Sequence, residues 1–508
     1  MPRAFSRLSP RRLLRLGVIC FVLGSLALAQ TPAASPAPAS ATPKTSAAAA
    51  QPWTRIAIPP LPAFHPAVPR RIALPNGLVI FLQEDHELPL ISLSARIRGG
   101  AVQEPAAKAG LSTLYGEVWR TGGTQSKTGD QMDDFLEARA AQLETSGAPD
   151  STNISLNCLK DDFGAVFALF RELLTEPAFR EDKLALARQR LNTRIARRND
   201  EPDGIAMREA RRLAYGKDNP YARDPEYATV AAVTRDDLLA WHARFAHPNN
   251  IVLGVIGDFD PARMEALLRE AFADWPRGPD APRPQAEFVT ARPGFYFAAK
   301  DDVNQSLVRM VALGIRRDNP DYYAIAVMNE LFGGSMSSRL FKRIRTAQGL
   351  AYAVGGSLGA AYDHPGVFAV GLGTRTESTA RAIQALNQQI AGLLTEPATA
   401  AELRRAKDSI LNSFIFSVDT PEKVLGERLT CEFYGYPLDS LERFRQGVER
   451  VTVADVNRVA RNYVKPGSFA VLVVGNAAAG QQLGAFGPVT AIDISIPSEA
   501  PPAPPAAR

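Results

Sequence analysis

Histidine and cysteine are the side chains in this sequence best suited to bind a transition metal, provided that several of them converge. Residues 30–508 contain five histidines, namely His65, His86, His242, His247 and His364. The closest pair, His242 and His247, is separated by five residues, which is about 140° around a helix, so the two rings do not share a face. Cys158 and Cys431 lack the close spacing of a cysteine-based zinc site. We therefore predict surface or packing histidines and two isolated buried thiols, with the pairing of the cysteines left open.

The composition is that of a globular protein with more than one domain. The chain has 508 residues, of which 46% are hydrophobic and 22% charged. Its net charge of +5 comes from five arginines within the first 29 residues, and beyond them basic and acidic residues balance at 53 each. No Lys/Arg-rich stretch with interleaved aromatic residues is present. The sequence therefore argues against nucleic acid as a partner.

The first 29 residues have the three parts of a secretory signal peptide. A basic stretch ends at Arg15, an apolar stretch covers 16–29, and Ala27-Leu28-Ala29 is a small-x-small cleavage site. The apolar stretch is shorter than the ~20 residues of a membrane span. We predict an exported, most simply periplasmic, protein with no stable membrane span once the signal peptide is removed. Retention of this segment as an anchor remains the alternative. Residues 30–67 are rich in Ala and Pro and are predicted to form a disordered tether.

The remaining chain has two similarly built halves, predicted as domains over 68–278 and 292–480 and followed by a tail over 481–508 with a Pro/Ala-rich end. In the first half, Asn76-Gly77 separates two β-branched runs and predicts a hairpin. The first half is further predicted to contain a strand over 91–100, helices over about 107–119, 129–142, 161–174, 181–198 and 234–245, and a strand over 249–259. The second half repeats this order of elements. We predict the α+β class, with two homologous domains that each pack a mostly antiparallel sheet against helices.

Several segments of the chain resemble one peptidase family. They include LPNGL (74–78), Gly99-Gly100, Glu104, HPNNIVLGVIGD (247–258) and LFGGSMSSRLFKRIRTAQGLAYAVGG (331–356). In order and distance they are similar to the insulinase/pitrilysin family of zinc peptidases over residues 68–480. The resemblance implies that the two domains form half of a clam-shell. It also implies a zinc bound by H-x-x-E-H on a helix, with the Glu as general base and a further Glu ligand on a later helix.

The chain departs from this family at its zinc site. The corresponding segment reads GLSTLYGE (110–117), so Thr113 and Glu117 stand at the two His positions and Gly116 at the general base. Ala187 stands at the third ligand, in a run over 184–198 without any Asp or Glu. These four degenerate positions imply that this chain binds no metal. The basic run 188–198 is predicted to be a solvated helix face, or alternatively to face an acidic peptide.

A second feature of the family is retained. The segment IRTAQGLAY supplies Arg345 and Tyr352, seven residues apart. In the family, such a pair binds the substrate backbone and the developing oxyanion, for which guanidinium and phenol donors are suited. The alternative is structural, with Arg345 at a helix end and Tyr352 packed on a strand.

The resemblance leads to one hypothesis and two alternatives. The chain is predicted to be a non-catalytic, peptide-binding subunit of a heterodimeric metallopeptidase, inactive alone. It would donate Arg345 and Tyr352 to a zinc site on a homologous chain with an intact H-x-x-E-H. The first alternative is a zinc-free peptide-binding or scaffold protein without a peptidase role. The second is an active zinc metallopeptidase with non-standard ligands.

Overall fold

A computed structural model describes residues 68–497, all within one compact unit. The predicted signal peptide and tether lie outside the described residues, as do residues 498–508 of the tail. Within the described part, no helix has the length and apolar character needed to cross a membrane.

The first domain is built on a six-stranded sheet. Its strands are β1 (Arg70–Ala73), β2 (Val79–Glu84), β3 (Leu90–Arg98), β4 (Gln142–Gly147), β5 (Ser151–Leu159) and β6 (Ile251–Gly257). Their order is β1-β2-β6-β3-β5-β4, and every neighbouring pair except β2–β6 is antiparallel. The predicted hairpin is present, with Gly77 at φ +94° in the turn between β1 and β2.

Helices cover this sheet and surround the first core. They are α1 (Leu111–Thr121), α2 (Gly129–Glu137), α3 (Phe163–Thr175), α4 (Glu181–Ala196), α5 (Pro202–Tyr215), α6 (Tyr227–Ala231), α7 (Arg235–Phe245) and α8 (Pro261–Ala271). The helix predicted over 129–142 is too long, because α2 ends at Glu137. Ala140 then takes a positive φ of 47° and β4 begins at Gln142. Leu143 of that strand is buried opposite Leu156 of β5, so pairing and burial replace the local helical pattern.

The second domain has a seven-stranded sheet in the order β13-β7-β12-β8-β11-β10-β9. The strands are β7 (Gly294–Ala299), β8 (Gln305–Leu313), β9 (Ile315–Arg316), β10 (Val354–Ala361), β11 (Pro365–Arg375), β12 (Ala470–Gly475) and β13 (Val489–Ile492). Its central pairs, β12–β8, β8–β11 and β11–β10, are antiparallel, and the three outer pairs are parallel. The tail predicted from residue 481 thus includes β13, which joins the sheet. The α+β class and the two-domain architecture are confirmed.

The helices of the second domain enclose a second core. They are α9 (Tyr322–Asn329), α10 (Thr379–Thr395), α11 (Ala400–Phe414), α12 (Pro421–Tyr434), α13 (Ser440–Arg450), α14 (Val453–Tyr463) and α15 (Ala477–Leu483). The helix predicted over 335–346 is shorter and wider than a regular α-helix: residues 335–338 form a turn, and Phe341–Thr346 is a π-helical segment. The two domains repeat their capping chemistry, because Thr234 and Asp237 begin α7 as Thr452 and Asp455 begin α14.

Each domain places one helix on the sheet of the other. α5 of the first domain packs on β8 and β12, and α12 of the second domain packs on β2 and β6. The α12 contact buries Leu425, Leu429 and Phe433 against Phe81, Val252 and Ile256. Both helices start with Pro followed by an acidic residue, and both end at Tyr-Gly. Each sheet therefore has part of its apolar face covered by a helix of the other domain.

Candidate functional site

Helix α1, which carries three of the four degenerate zinc-site positions, is held at its first turn by a buried carboxylate. The Glu104 side chain accepts hydrogen bonds from the backbone N–H groups of Gly110 (2.8 Å) and Ser112 (2.6 Å). These N–H groups have no partner within the helix, and the helix dipole favours a negative charge there. Burial nevertheless raises the pKa of Glu104 above its usual range. The role of Glu104 is therefore to fix the start of α1.

At Gly116, helix α1 lies directly against the backbone of β4. A Cβ atom on Gly116 would lie 2.1 Å from the backbone nitrogen of Gly147 and 2.5 Å from the carbonyl carbon of Ser146. The Thr145 hydroxyl donates to the Gly116 carbonyl oxygen at 2.5 Å and fixes this approach. No side chain fits at position 116 without movement of the backbone. The backbone of β4 therefore occupies the space that the side chain of a general base at position 116 would need.

The other degenerate positions do not form a metal site either. Glu117 is engaged by two arginines of α4, with Oε1 at 3.0 Å from Arg190 and Oε2 at 3.8 Å from Arg194. Ala187 is 1% exposed within the first core. A zinc peptidase needs three protein ligands and an open position, and these four residues supply a single carboxylate already paired with guanidinium groups. Zinc does not fit this set. Across residues 68–497 no group of three or more His, Cys, Asp or Glu is arranged to hold a metal ion.

The histidines of the described part are bound to other groups. His242 is buried, and its ring nitrogens contact the Tyr115 hydroxyl (2.8 Å) and the Leu174 carbonyl oxygen (3.0 Å). Burial lowers the pKa of His242 to about 4, so the ring is neutral at pH 7. His86 and His364 contact neighbouring Asp side chains, and His247 contacts the Ala243 carbonyl oxygen. His65 lies outside the described residues.

Cys158 and Cys431, the two cysteines among residues 68–497, are both buried and free, as the isolated-thiol prediction expected. Burial raises the pKa of each thiol to about 11. Cys158 lies in β5 of the first domain and Cys431 in α12 of the second. A thiol with so high a pKa is a poor nucleophile at neutral pH.

Arg345 and Tyr352 are brought together in the second domain. Arg345 lies in the π-helical segment Phe341–Thr346, and its guanidinium carbon is 4.9 Å from the centre of the Tyr352 ring. The same guanidinium lies 4.6 Å from the ring of Phe341. Leu350 is buried just before the tyrosine, whereas Tyr352 itself is 85% exposed. Arg345 and Tyr352 therefore lie side by side at the surface, close to a buried neighbour.

The Tyr352 side chain lines an open cavity of about 480 Å³ on the glycine-rich strands β10 and β11. Arg309 of β8 and Asp203 of α5 lie in the same cavity, 3.2 Å apart. Burial lowers the pKa of Arg309 below its usual range, although the guanidinium stays charged. Sequence reasoning missed these two residues. The available signal was an arginine in the middle of the apolar strand SLVRMVALGI.

A second and larger cavity, of about 700 Å³, lies where α1 and α4 carry the degenerate zinc positions. Thr113 and Glu117 line it from α1, and residues of β4, α4 and α5 complete the wall. Four arginines face it, namely Arg194, Arg198, Arg208 and Arg211. The run 188–198 is therefore not simply a solvated face, because Arg194 and Arg198 line a cavity. Helix α5 separates the two cavities, with Asp203 on one and Met207 on the other.

Two family models match the chain in succession. The model of insulinase (peptidase family M16) covers residues 79–223, and the model of the peptidase M16 inactive domain covers residues 232–410. Among curated proteins, an uncharacterized zinc protease of Mycobacterium leprae is 27% identical over 399 residues, covering 77% of this chain and 88% of the relative. The uncharacterized zinc protease YmxG of Bacillus subtilis is 20% identical over 395 residues, covering 77% of this chain and 95% of YmxG.

Solved structures share the fold. A peptidase M16 inactive domain from Pseudomonas fluorescens superposes with a TM-score of 0.72 at 24% identity, covering 81% of this chain and 98% of that one. A protease from Helicobacter pylori superposes with a TM-score of 0.69 at 20% identity, covering 81% of this chain and all of the other. At these identities the likeness concerns the architecture of the two domains.

Proposed function

Because this chain belongs to the insulinase family, peptidase family M16, we propose that it is a non-catalytic, peptide-binding subunit of a two-chain metallopeptidase. It supplies Arg345 and Tyr352 to a zinc site on a homologous partner that carries an intact H-x-x-E-H. The observation that carries the proposal is the exposed phenol of Tyr352 beside a guanidinium, on a chain whose own zinc positions offer one paired carboxylate.

The proposed roles follow from the chemistry of the two side chains. In this proposal the water nucleophile comes from the metal-bearing partner, and this chain holds the peptide. The Arg345 guanidinium donates to a backbone carbonyl oxygen of the substrate. The Tyr352 hydroxyl donates to the oxygen on which negative charge develops during attack, an interaction that is stronger in the transition state than in the bound substrate.

Closure of the partner over this chain would also remove water from around Tyr352. An exposed hydroxyl gains little from an added hydrogen bond in water, because it exchanges one partner for another. In a site closed by a second chain the same donor acts at a lower local dielectric, where its effect on a developing charge is larger. The proposal therefore requires that each chain form one half of a clam-shell that closes around the substrate.

The test is peptidase activity of a co-purified complex. Co-expression with a homologous chain that carries H-x-x-E-H should give a stable complex that cleaves peptides in a chelator-sensitive manner. Tyr352→Phe should lower kcat by about 100-fold or more, with KM little changed, since one oxyanion donor is worth ~2.7–4 kcal/mol. Tyr296→Phe is the matched control, because its hydroxyl donates to the Arg292 carbonyl oxygen and its side chain does not line the Tyr352 cavity.

Three results would overturn the proposal. Full activity of the Tyr352→Phe complex would show that Tyr352 does not act as the proposed donor to the oxyanion. Chelator-sensitive cleavage by this chain alone would instead support an enzyme with non-standard ligands. Peptide binding without peptidase activity in any complex would support the zinc-free binding or scaffold protein. The proposal includes export, because residues 1–29 have the features of a signal peptide. Cell fractionation, with the protein assayed in each fraction, would test this part.

A further inference from the structure

The cavity between α1, α4 and α5 has more positive than negative side chains. Its lining includes four arginines but only two acidic residues, Glu117 and Asp224. Its volume of about 700 Å³ falls in the ordinary size range of ligand pockets. Leu191 and Ile195 of α4 and the 69% exposed Met207 of α5 add an apolar wall. The cavity therefore combines cationic donors with apolar surface.

Three of the four arginines are paired with carboxylates of this chain. Arg198 contacts Glu226 at 2.9 Å, Arg208 contacts Glu209 at 2.9 Å, and Arg211 contacts Asp224 at 2.7 Å. Arg212 also contacts Glu209 and Asp224, each at 3.0 Å, so these two carboxylates are shared. Each of the three arginines nevertheless has a carboxylate oxygen within 3.0 Å, whereas within residues 68–497 the remaining arginine has none that close.

That remaining arginine is Arg194. Its nearest carboxylate oxygen is Oε2 of Glu117 at 3.8 Å, whereas the other oxygen of Glu117 lies 3.0 Å from Arg190. One carboxylate is therefore shared by two guanidinium groups, both of which are more than half exposed. A guanidinium can bind a carboxylate through two parallel N–H···O bonds, and a separation of 3.8 Å leaves that capacity unused.

We propose that this cavity binds a carboxylate carried by a peptide, with Arg194 as its main donor and Arg190 beside it. The peptide nature of the ligand rests on the proposed function, whereas the carboxylate specificity rests on the arginines. The carboxylate is either the C-terminus of the peptide or an acidic side chain, since both present the same two oxygens. The neighbouring residues of the peptide pack on Leu191, Ile195 and Met207.

Glu117 is the internal competitor of this ligand. It lines the same cavity and contacts both Arg190 and Arg194, so its charge repels a second carboxylate there. Removal of that charge should strengthen binding, whereas loss of Arg194 should weaken it. The two substitutions thus act in opposite directions on the same measurement, which a general change in folding would not produce.

The experiment is fluorescence anisotropy on the isolated chain with labelled hexapeptides of apolar sequence. The peptides carry a free C-terminus, a C-terminal amide, or an amide end with one internal Glu or Gln. We expect at least one carboxylate peptide to bind 10-fold or more tightly than its neutral counterpart, and the affected arm identifies the source of the carboxylate. Arg194→Gln should weaken that binding about 10-fold, and Glu117→Gln should strengthen it.

Arg197→Gln is the matched control, because Arg197 follows α4, is paired with Asp200 and does not line the cavity. Its binding should equal that of the wild type. Equal affinity for charged and neutral peptides, absence of binding in every arm, or equal effects of Arg194→Gln and Arg197→Gln would each overturn the proposal. Weaker binding by Glu117→Gln would do the same. None of these measurements involves the partner or Tyr352, so a failure here is separable from a failure of the two-chain peptidase.

Discussion

Replacement of Gly116 by alanine should destabilise the protein strongly, although alanine normally favours a helix. Gly116 is the sixth residue of α1, where a Gly-to-Ala change alone would stabilise by about 1 kcal/mol. The added Cβ, however, meets the Gly147 backbone nitrogen at 2.1 Å, and ordinary contacts begin near 3.4 Å. Either α1 or β4 must move by about 1.3 Å.

The cost of this movement exceeds the helical gain. Overpacking of a well-packed interior typically costs ~1–3 kcal/mol, and here the obstacle is backbone rather than a flexible side chain. We expect Gly116→Ala to lower the free energy of unfolding by about 2 kcal/mol or more. Urea unfolding followed by the fluorescence of the buried Trp119 and Trp241, both in the first domain, measures this change.

Gly426→Ala provides the matched control. Gly426 is the sixth residue of α12, and a Cβ there meets no atom within 4 Å. Only the helical preference remains, so this variant should be more stable than the wild type by about 1 kcal/mol. If Gly116→Ala matched Gly426→Ala in stability, the contact between α1 and β4 would not obstruct a side chain at position 116. A glutamate side chain could then also be introduced at position 116 without movement of the backbone.

Two further predictions concern the buried titratable groups. The pKa of His242 is about 4 in the folded protein and about 6.5 in an unfolded chain, so the unfolded state takes up a proton first as the pH falls. Stability should therefore be lost from pH 6.5 towards pH 4, by about 2 kcal/mol between pH 7 and pH 5, and urea unfolding of His242→Gln should lack this part of the loss. Burial raises the pKa of the Cys158 and Cys431 thiols to about 11, so neither should react with a thiol reagent at pH 8 until the protein is unfolded. Rapid labelling of the folded protein, or a disulfide between the two, would contradict this.

Much of the fold followed from local patterns. The Asn76-Gly77 turn, the alternating strand β3 and the amphipathic helices depend on residues within a few positions of each other, and the structure shows them close to where they were expected. The loss of the zinc ligands was also decided by sequence, because Thr113, Gly116 and Ala187 have no imidazole, thiolate or carboxylate in any conformation. The proximity of Arg345 and Tyr352 was implied by the family motif and is present.

The tertiary structure decided what depends on distant residues. The helix predicted over 129–142 stops at Glu137 and is followed by β4, because Leu143 pairs with Leu156 and is buried there. The exchange of α5 and α12 joins residues far apart in the chain, and no local periodicity reports which sheet a helix will cover. The direction of Arg194 likewise depends on where α4 meets α1 and α5. Side-chain type and short-range spacing are properties of the sequence, whereas the partner of a buried or charged group is set only when distant segments pack together.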